Sequence, residues 1–290
     1  MDRVAQVGRG DRSASMHVVT LPMYDLPEVA EATTALLDAL ADELTRAGWP
    51  ARPSTNKLGD HRDHIAHWLD PTTALSQSCG LPYLEDLDGH VAIVGTLQWR
   101  GVVDDRGYYR SKVVVAADHH ARTLADLRGA RPAVNSPQSL SGWCSLGAAL
   151  ATVTDDPSFV APFVVTGSHV ESLERLRSGL ADVTAVDPAT YRLLERHRPD
   201  ALAGTRVLID GPVIPATPLV TRVETPIGPQ EVRACVRRAL DRPALADALA
   251  LLGIDGLVPM HRADYCPVIT LVEHAERVLP RSTRQIGKPT

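Results

Sequence analysis

The sequence is poor in aromatic residues and has no excess of basic charge. Phe, Trp and Tyr make up 4% of the 290 residues, so the hydrophobic core must be built mainly from Leu, Val, Ala and Ile. The 30 Lys and Arg residues are outnumbered by 35 Asp and Glu, which gives a formal net charge of −5. Because a nucleic-acid-binding protein needs a basic face that neutralises phosphates, this balance argues against a nucleic-acid partner.

Cysteine is also scarce. The four cysteines are far apart in the chain: Cys79, Cys144, Cys235 and Cys266. They form neither a CxxC pair nor a zinc-ligand spacing, which predicts free thiols. Cys144 falls in the first turn of a predicted helix, where the dipole lowers a thiol pKa, yet without a histidine partner we expect a packed thiol.

His61, His64 and His67 recur every three residues of a predicted helix and fan out by about 60° each, so we expect no metal and no cofactor.

Long hydrophobic runs are absent as well. No segment approaches the roughly 18 apolar residues of a membrane span, so the sequence predicts no membrane insertion. Residues 1–15 are polar and lack the apolar stretch of a secretory signal. This predicts a polar N-terminal tail and a cytoplasmic location, or a periplasmic or extracellular one if the start codon is misassigned.

Strand and helix patterns alternate along the chain. Apolar runs such as His17–Leu21, Val91–Leu97 and Asp182–Val186 predict buried strands, and Glu28–Ala47 has helical periodicity. A further long helix is predicted over Glu231–Leu252. The alternation predicts an α/β fold with a mostly parallel sheet.

Two βα units joined by two long extended segments predict two lobes with a ligand cleft between them. We expect residues 16–109 and 205–290 to form lobe 1, and residues 110–204 to form an inserted lobe 2. The chain would cross between the lobes near Tyr108–Ser111 and Ile209–Thr217.

Residues 135–142 (NSPQSLSG) lie between a predicted strand and a predicted helix. Ser141 is a good N-cap residue, and Gly142 would let a ligand approach the first helical turn closely. The N–H groups of that turn, with the hydroxyls of Ser139 and Ser141, would form a neutral anion-binding site. An ordinary serine cap after a βα turn explains the same residues.

Two further polar groups follow neighbouring strands. His169 lies at the start of a predicted helix, where it could donate to an oxyanion, and Asp187 directly follows the strand DVTAV. Each has a plain alternative, since Ser168 could cap the first helix and Asp187 the second. Together with the serines they lie at the carboxyl ends of strands, where open α/β sheets bind ligands.

The strings NSPQSLSG and TGSHVESLERLRSGLADVTAVD resemble the second lobe of phosphate-, phosphite- and phosphonate-binding components of ABC importers. LPMYDLPE, LSQSCGLPY, VGTLQW and YRS are similar to a branch of that family that lacks a signal peptide, and the likeness covers about residues 17–280. The resemblance implies a type-2 periplasmic-binding-protein-like fold. It also implies that Ser139 and Ser141 hold the oxyanion, that His169 assists, and that Asp187 faces the ligand's amino group. Leu140 stands where phosphonate binders often carry a hydroxyl.

The resemblance also implies aromatic residues in the first lobe, for which Tyr24, Tyr83 and Trp99 are candidates, with lobe packing as the alternative. The partners it implies are a small anionic or zwitterionic ligand and an ABC permease. If Asp187 faces the ligand, that ligand must present a donor, because a carboxylate repels a fully ionised phosphate. This favours a zwitterion or a monoprotonated oxyanion.

The sequence allows two functions other than a binding protein. An enzyme on the same scaffold, of the lyase or dehydratase type, would act on a small carboxylate or phosphorylated substrate with His169 or Asp187 as general base. A ligand-sensing domain of a regulator lacks support, because no DNA-binding helix pair precedes the domain. The sequence favours the binding protein over the enzyme.

Overall fold

The structure is a computed structural model that describes residues 16–24, 26–55, 58–59 and 61–281. The predicted polar tail, residues 1–15, lies outside the described residues. The strands are β1 His17–Val19, β2 Ala51–Pro53, β3 Thr73–Gln77, β4 Val91–Trp99, β5 Tyr108–Ala116, β6 Pro132–Val134, β7 Val164–Val165, β8 Val183–Val186, β9 Thr205–Pro215, β10 Pro218–Arg222 and β11 Ile254–Val258. The helices are α1 Ala30–Arg46, α2 His61–Leu69, α3 Gly80–Pro82, α4 Ser145–Leu150, α5 His169–Arg177, α6 Pro188–His197, α7 Pro229–Leu240, α8 Ala246–Leu252, α9 Arg262–Tyr265 and α10 Val268–Val278.

The strands form two mixed sheets. The first has six strands in the order β11-β4-β10-β3-β1-β2, and the second has five in the order β7-β6-β8-β5-β9. In the first sheet β1, β2 and β3 are parallel, whereas β10 and β11 run antiparallel to their neighbours. In the second, β5 is antiparallel to both β8 and β9. The predicted α/β fold is confirmed, with more antiparallel pairing than the sequence indicated.

The chain passes between the sheets along two neighbouring segments. It leaves the first sheet after β4 and enters the second at β5, and it returns between the end of β9 at Pro215 and the start of β10 at Pro218. Proline has no N–H to donate to a strand ladder, so the two prolines interrupt the pairing where the chain changes sheets.

Two parts of the 205–290 segment lie with the second sheet. Strand β9 pairs along its length with β5, and helix α10 packs against α4, which itself packs on β9. The contact between α4 and α10 is close, because a Cβ added at Gly147 would lie 2.7 Å from the Cβ of Ala275. The Trp143 indole also donates a hydrogen bond to the Leu279 carbonyl at 2.8 Å.

The C-terminal helical region differs from its prediction. The sequence predicts one helix over Glu231–Leu252, whereas the structure has α7 and α8 separated by a short 3-10 turn over Pro243–Leu245. Pro243 supplies no N–H and its ring crowds the preceding turn, which ends the first helix. The prediction of a single helix was therefore wrong.

The contact between α1 and α7 encloses a carboxylate. Glu43 is buried and accepts hydrogen bonds from Arg238 Nε at 3.0 Å and Arg242 Nε at 3.1 Å, with Arg46 at 2.9 Å. The hydrogen bond from Arg242 is the largest cause that lowers the pKa of Glu43, assisted by Arg238. The ionised glutamate therefore stabilises the folded state.

We expect Glu43→Gln to lower the free energy of unfolding by about 1–2 kcal/mol at neutral pH, since the partner arginines can partly rehydrate. Because the folded pKa lies below the unfolded value of 4.5, the stabilisation is present above that pH and is lost as pH falls through the folded pKa. Urea denaturation of both proteins should show a difference that shrinks in acid. Glu174→Gln, which removes an exposed partner of Arg177, serves as the control. An equal effect of the two changes would contradict a stabilising role for the buried Glu43 carboxylate.

Candidate functional site

A cavity of about 590 Å³ is lined by residues from segments that adjoin the first sheet and segments that adjoin the second. Five of the six predicted site residues line it: Tyr24, Ser139, Ser141, His169 and Asp187. Tyr109 and Thr217, which the sequence did not single out as site residues, line it too. The structure therefore brings together side chains that are up to 193 positions apart in the chain.

The helix after β6 begins earlier than predicted. Ser139 is its N-cap, with extended backbone angles (φ −86°, ψ 122°), and its Oγ accepts the Gly142 N–H at 2.9 Å. The first turn, Leu140–Cys144, is π-wound, because the Cys144 N–H reaches the Ser139 carbonyl at 3.0 Å. Ser141 is thus not the N-cap, and that prediction was wrong. Since Ser139 Oγ accepts in the cap, its hydroxyl hydrogen is left to donate into the cavity.

Gly142 has a packing role. A Cβ at this position would lie 1.9 Å from Asn135 Oδ1 and 3.0 Å from Ser139 Oγ. The space beside the glycine Cα is therefore occupied by the protein itself, and Gly142 does not line the cavity. Close approach of a ligand was the predicted reason for glycine here, and the structure gives a different one.

Ser141 and His169 form a pair across two helices. Ser141 Oγ lies 3.2 Å from His169 Nε2, and His169 is the first residue of α5. Ser168 is the N-cap of that helix, as the alternative interpretation of this segment held, since its Oγ accepts the Glu171 N–H at 3.1 Å. Burial lowers the pKa of His169, although the charge of Asp187 partly opposes that effect. The imidazole is therefore neutral at neutral pH and shares one hydrogen with the Ser141 hydroxyl.

Asp187 is a helix N-cap, as the alternative interpretation predicts, and it also accepts hydrogen bonds from two tyrosines. Its Oδ1 accepts the N–H groups of Ala189 at 2.9 Å and Thr190 at 3.0 Å, which makes it the N-cap of α6. Its Oδ2 accepts the hydroxyls of Tyr109 at 2.9 Å and Tyr24 at 3.2 Å. A carboxylate offers about four acceptor positions, and the protein fills all four.

The two tyrosines are held deep in the cavity wall. Burial, followed by the negative charge of Asp187, raises the pKa of Tyr24 and of Tyr109 well above 10.0, so both stay protonated donors. Tyr24 also contacts the Thr217 hydroxyl, and its ring packs on Trp99 at a centroid distance of 4.6 Å. Tyr24 lies before α1, beside the first sheet, and Asp187 follows β8 of the second sheet. The hydrogen bond between Tyr24 and Asp187 therefore links the two sheets across the cavity.

The other aromatic candidates do not line the cavity. Trp99 supports the Tyr24 ring, and Tyr83 packs edge-on against Tyr265 at 5.5 Å in a separate buried cluster. One feature of the sequence could have identified Tyr109 as a residue of the cavity wall. It lies inside the predicted lobe crossing, and alternation along β5 places it on the opposite face from Tyr108.

The histidines of α2 serve other contacts. His67 Nε2 lies 2.8 Å from Thr20 Oγ1, His61 Nε2 lies 3.4 Å from Asp86 Oδ2, and the His64 ring packs on Trp68. No cluster of three metal-ligating side chains occurs in the described part of the chain. Among the same residues, no helix has the length and apolarity to cross a membrane.

Cys144 is a buried thiol. Burial raises its pKa to about 12, which outweighs the lowering expected from the start of the helix. The four cysteines are free. At neutral pH Cys144 is thus protonated and poorly nucleophilic.

The chain is similar to known binding proteins. A family model described as ABC transporter, phosphonate, periplasmic substrate-binding protein matches residues 18–265. No curated protein matches the chain. PhnD1 from Prochlorococcus marinus in complex with methylphosphonate superposes with a TM-score of 0.74 at 13% identity, covering 91% of this chain and 99% of its own.

Two further solved structures share the fold. A binding protein component of an ABC phosphonate transporter from Pseudomonas aeruginosa has a TM-score of 0.69 and 17% identity, and covers 90% of this chain and 87% of its own. XAC2383 from Xanthomonas citri bound to ATP has a TM-score of 0.68 and 18% identity, and covers 91% of this chain and 98% of its own. These likenesses confirm the predicted two-lobed, periplasmic-binding-protein-like fold.

Proposed function

Because the chain belongs to the family of phosphonate-binding periplasmic substrate-binding proteins of ABC transporters, we propose that its cavity binds a phosphonate or a closely related oxyanion. The observation that carries the proposal is the meeting of Ser139, Ser141 and His169 at the starts of two helices beside one cavity. Hydroxyls and helix N-termini solvate an oxyanion without a lysine, and no lysine lines the cavity within the described residues.

Contacts across the cavity join the two lobes. Tyr24 and Asp187 come from elements of different sheets, as do the ion-paired residues Glu28 and Arg198, whose nitrogen and oxygen are 2.9 Å apart. A ligand that touches both sides adds contacts that exist only in the closed form, and so shifts the equilibrium toward it. We assign the described residues of 16–109 and the segment after Pro215 as far as α9 to lobe 1. Residues 110–215 with α10 form lobe 2.

A transport role is the form of this function that the family favours, with an ABC permease as partner. Catalysis is the weaker proposal, because Asp187 has all four acceptor positions filled and a general base would have to be His169 alone, without a carboxylate of the described residues hydrogen-bonded to its ring. A cytoplasmic location stays a prediction, and fractionation of the native host is the measurement that checks it.

Calorimetric titration tests the proposal. The purified protein should bind methylphosphonate more tightly than acetate of similar size, because a tetrahedral anion can engage hydroxyls from both helices. Phosphorus NMR of the same mixture should show no turnover. Failure to bind any phosphonate, phosphate or phosphite would refute the proposed function.

We expect affinity for methylphosphonate to rise as pH falls below neutrality. The free protein keeps His169 neutral because burial lowers its pKa from 6.5, whereas a bound anion favours the imidazolium. Binding is thus coupled to proton uptake, and affinity can rise by up to about tenfold per pH unit until the free histidine also titrates.

Titration with methanesulfonate, whose charge is constant over this range, separates the histidine from the titration of the ligand. His169→Gln should flatten the pH dependence for methanesulfonate. A pH dependence that survives in this variant would assign the coupled proton to another group.

A further inference from the structure

The cavity is larger than a small oxyanion requires. Its volume is about 590 Å³. A methylphosphonate ion has only a few heavy atoms and would leave most of this space unfilled. The volume falls in the range of about 300–1,000 Å³ that is typical of sites enclosing larger organic ligands.

Part of the cavity wall is apolar. Met23, Trp68 and Pro82 line it, with the His64 ring packed on Trp68 at a centroid distance of 5.2 Å. Met23 also packs against the buried cluster that contains Trp68. More apolar side chains complete the lining: Pro22, Leu26, Val165 and Val170. Surface of this kind stabilises a neutral organic group, because it removes apolar area from water.

The acidic and basic side chains in the described part of the wall already have partners. Asp187 is the one carboxylate among the described lining residues, and the protein fills its acceptor positions. Arg198 pairs with Glu28, and His61 lies against Asp86. Among the described lining residues, a ligand ammonium would therefore meet no free carboxylate, and a second anionic group would have to displace Glu28 from Arg198.

We infer that the ligand is a phosphonate or phosphate monoester whose substituent is uncharged and apolar, with a bulk near that of a benzyl group. The inference rests on the proposed function, since it places the oxyanion at Ser139, Ser141 and His169. It replaces the expectation of a zwitterion, which required Asp187 to face the ligand with a free oxygen.

Calorimetry with four phosphonates tests the inference. Benzylphosphonate should bind at least about tenfold more tightly than methylphosphonate, because its ring buries apolar area in the cavity. Propylphosphonate should bind about tenfold more tightly than 2-aminoethylphosphonate, which has a similar length and carries an ammonium. Aminoethylphosphonate binding as tightly as propylphosphonate would overturn the inference, and so would benzylphosphonate binding no better than methylphosphonate. If none of the four binds, the inference fails, and the proposed function fails with it when phosphate and phosphite do not bind either.

A variant locates the substituent. Met23→Trp fills part of the apolar wall and should lower the benzyl-to-methyl affinity ratio at least about fivefold. If that variant does not fold, Met23→Ala should also lower the ratio, because it removes the contact. Val153→Ala, at an exposed position that does not line the cavity, is the matched control and should keep the wild-type ratio. An unchanged ratio in a folded Met23 variant would overturn the placement.

Discussion

Replacing Asp187 with alanine should lower the free energy of unfolding by about 2–4 kcal/mol, because four hydrogen bonds lose their acceptor at once. Two of the donors are N–H groups in the first turn of α6, and two are the buried hydroxyls of Tyr24 and Tyr109. Loss of an N-cap costs about 0.5–2 kcal/mol, and buried donors left without a partner cost about 1–3 kcal/mol. Chemical denaturation with far-UV circular dichroism measures the loss.

Two milder variants divide this effect. Asp187→Asn keeps an oxygen for the helix cap but places an amide against the tyrosine hydroxyls, so it should lose about 1–2 kcal/mol. Tyr109→Phe removes one donor and should lose less than Asp187→Ala. We expect the loss of unfolding free energy to be largest for Asp187→Ala, intermediate for Asp187→Asn and smallest for Tyr109→Phe. If Asp187→Ala unfolds at the wild-type denaturant concentration, the network does not support the fold.

The same variants report on the ligand site. Asp187 fixes Tyr24 and Tyr109 in the cavity wall, so Asp187→Asn should also weaken methylphosphonate binding even though its own oxygens face protein donors. An aspartate that held a ligand ammonium would behave otherwise. In that case Asp187→Asn would weaken 2-aminoethylphosphonate selectively and spare methylphosphonate, so the two roles are distinguishable in one titration series.

The second large effect is on affinity alone. Ser141→Ala should weaken methylphosphonate binding by about 1–3 kcal/mol, or roughly 5- to 150-fold, because a buried hydroxyl donor is lost. Its effect on stability should be smaller than that of Ser139→Ala, since Ser141 does not cap the helix and water in the cavity can take its place beside His169 Nε2. Ser139→Ala should weaken binding as well and also lower stability by about 0.5–2 kcal/mol, because it removes the N-cap.

The contrast between the two serines is the decisive measurement. Titration calorimetry and thermal unfolding are run on both variants and on Ser158→Ala, an exposed loop serine that serves as the control. Stability lost with Ser141→Ala but retained with Ser139→Ala would show that the cap is misplaced. Wild-type affinity in both variants, for a ligand that the native protein binds, would place the oxyanion elsewhere.

Much of the site could be predicted because it follows from local rules. Ser139, Ser141, His169 and Asp187 each lie at a junction between a strand and a helix, and such junctions can be recognised from a short window of sequence. The exact cap could not be predicted, since Ser139 and Ser141 are both good caps. The choice between them depended on the π-wound turn and on the space that Asn135 takes beside Gly142.

The sequence by itself determined the α/β class, the junctions that carry the polar groups, and the family resemblance, because these depend on periodicity and on short motifs. Only the tertiary structure decided what Asp187 faces. Tyr24 and Tyr109 reach its carboxylate from positions 163 and 78 residues away in the chain, and no local pattern records such a contact. Tertiary packing likewise decided that β9 and α10 lie with the second sheet, because strand partners and helix neighbours are chosen by long-range burial.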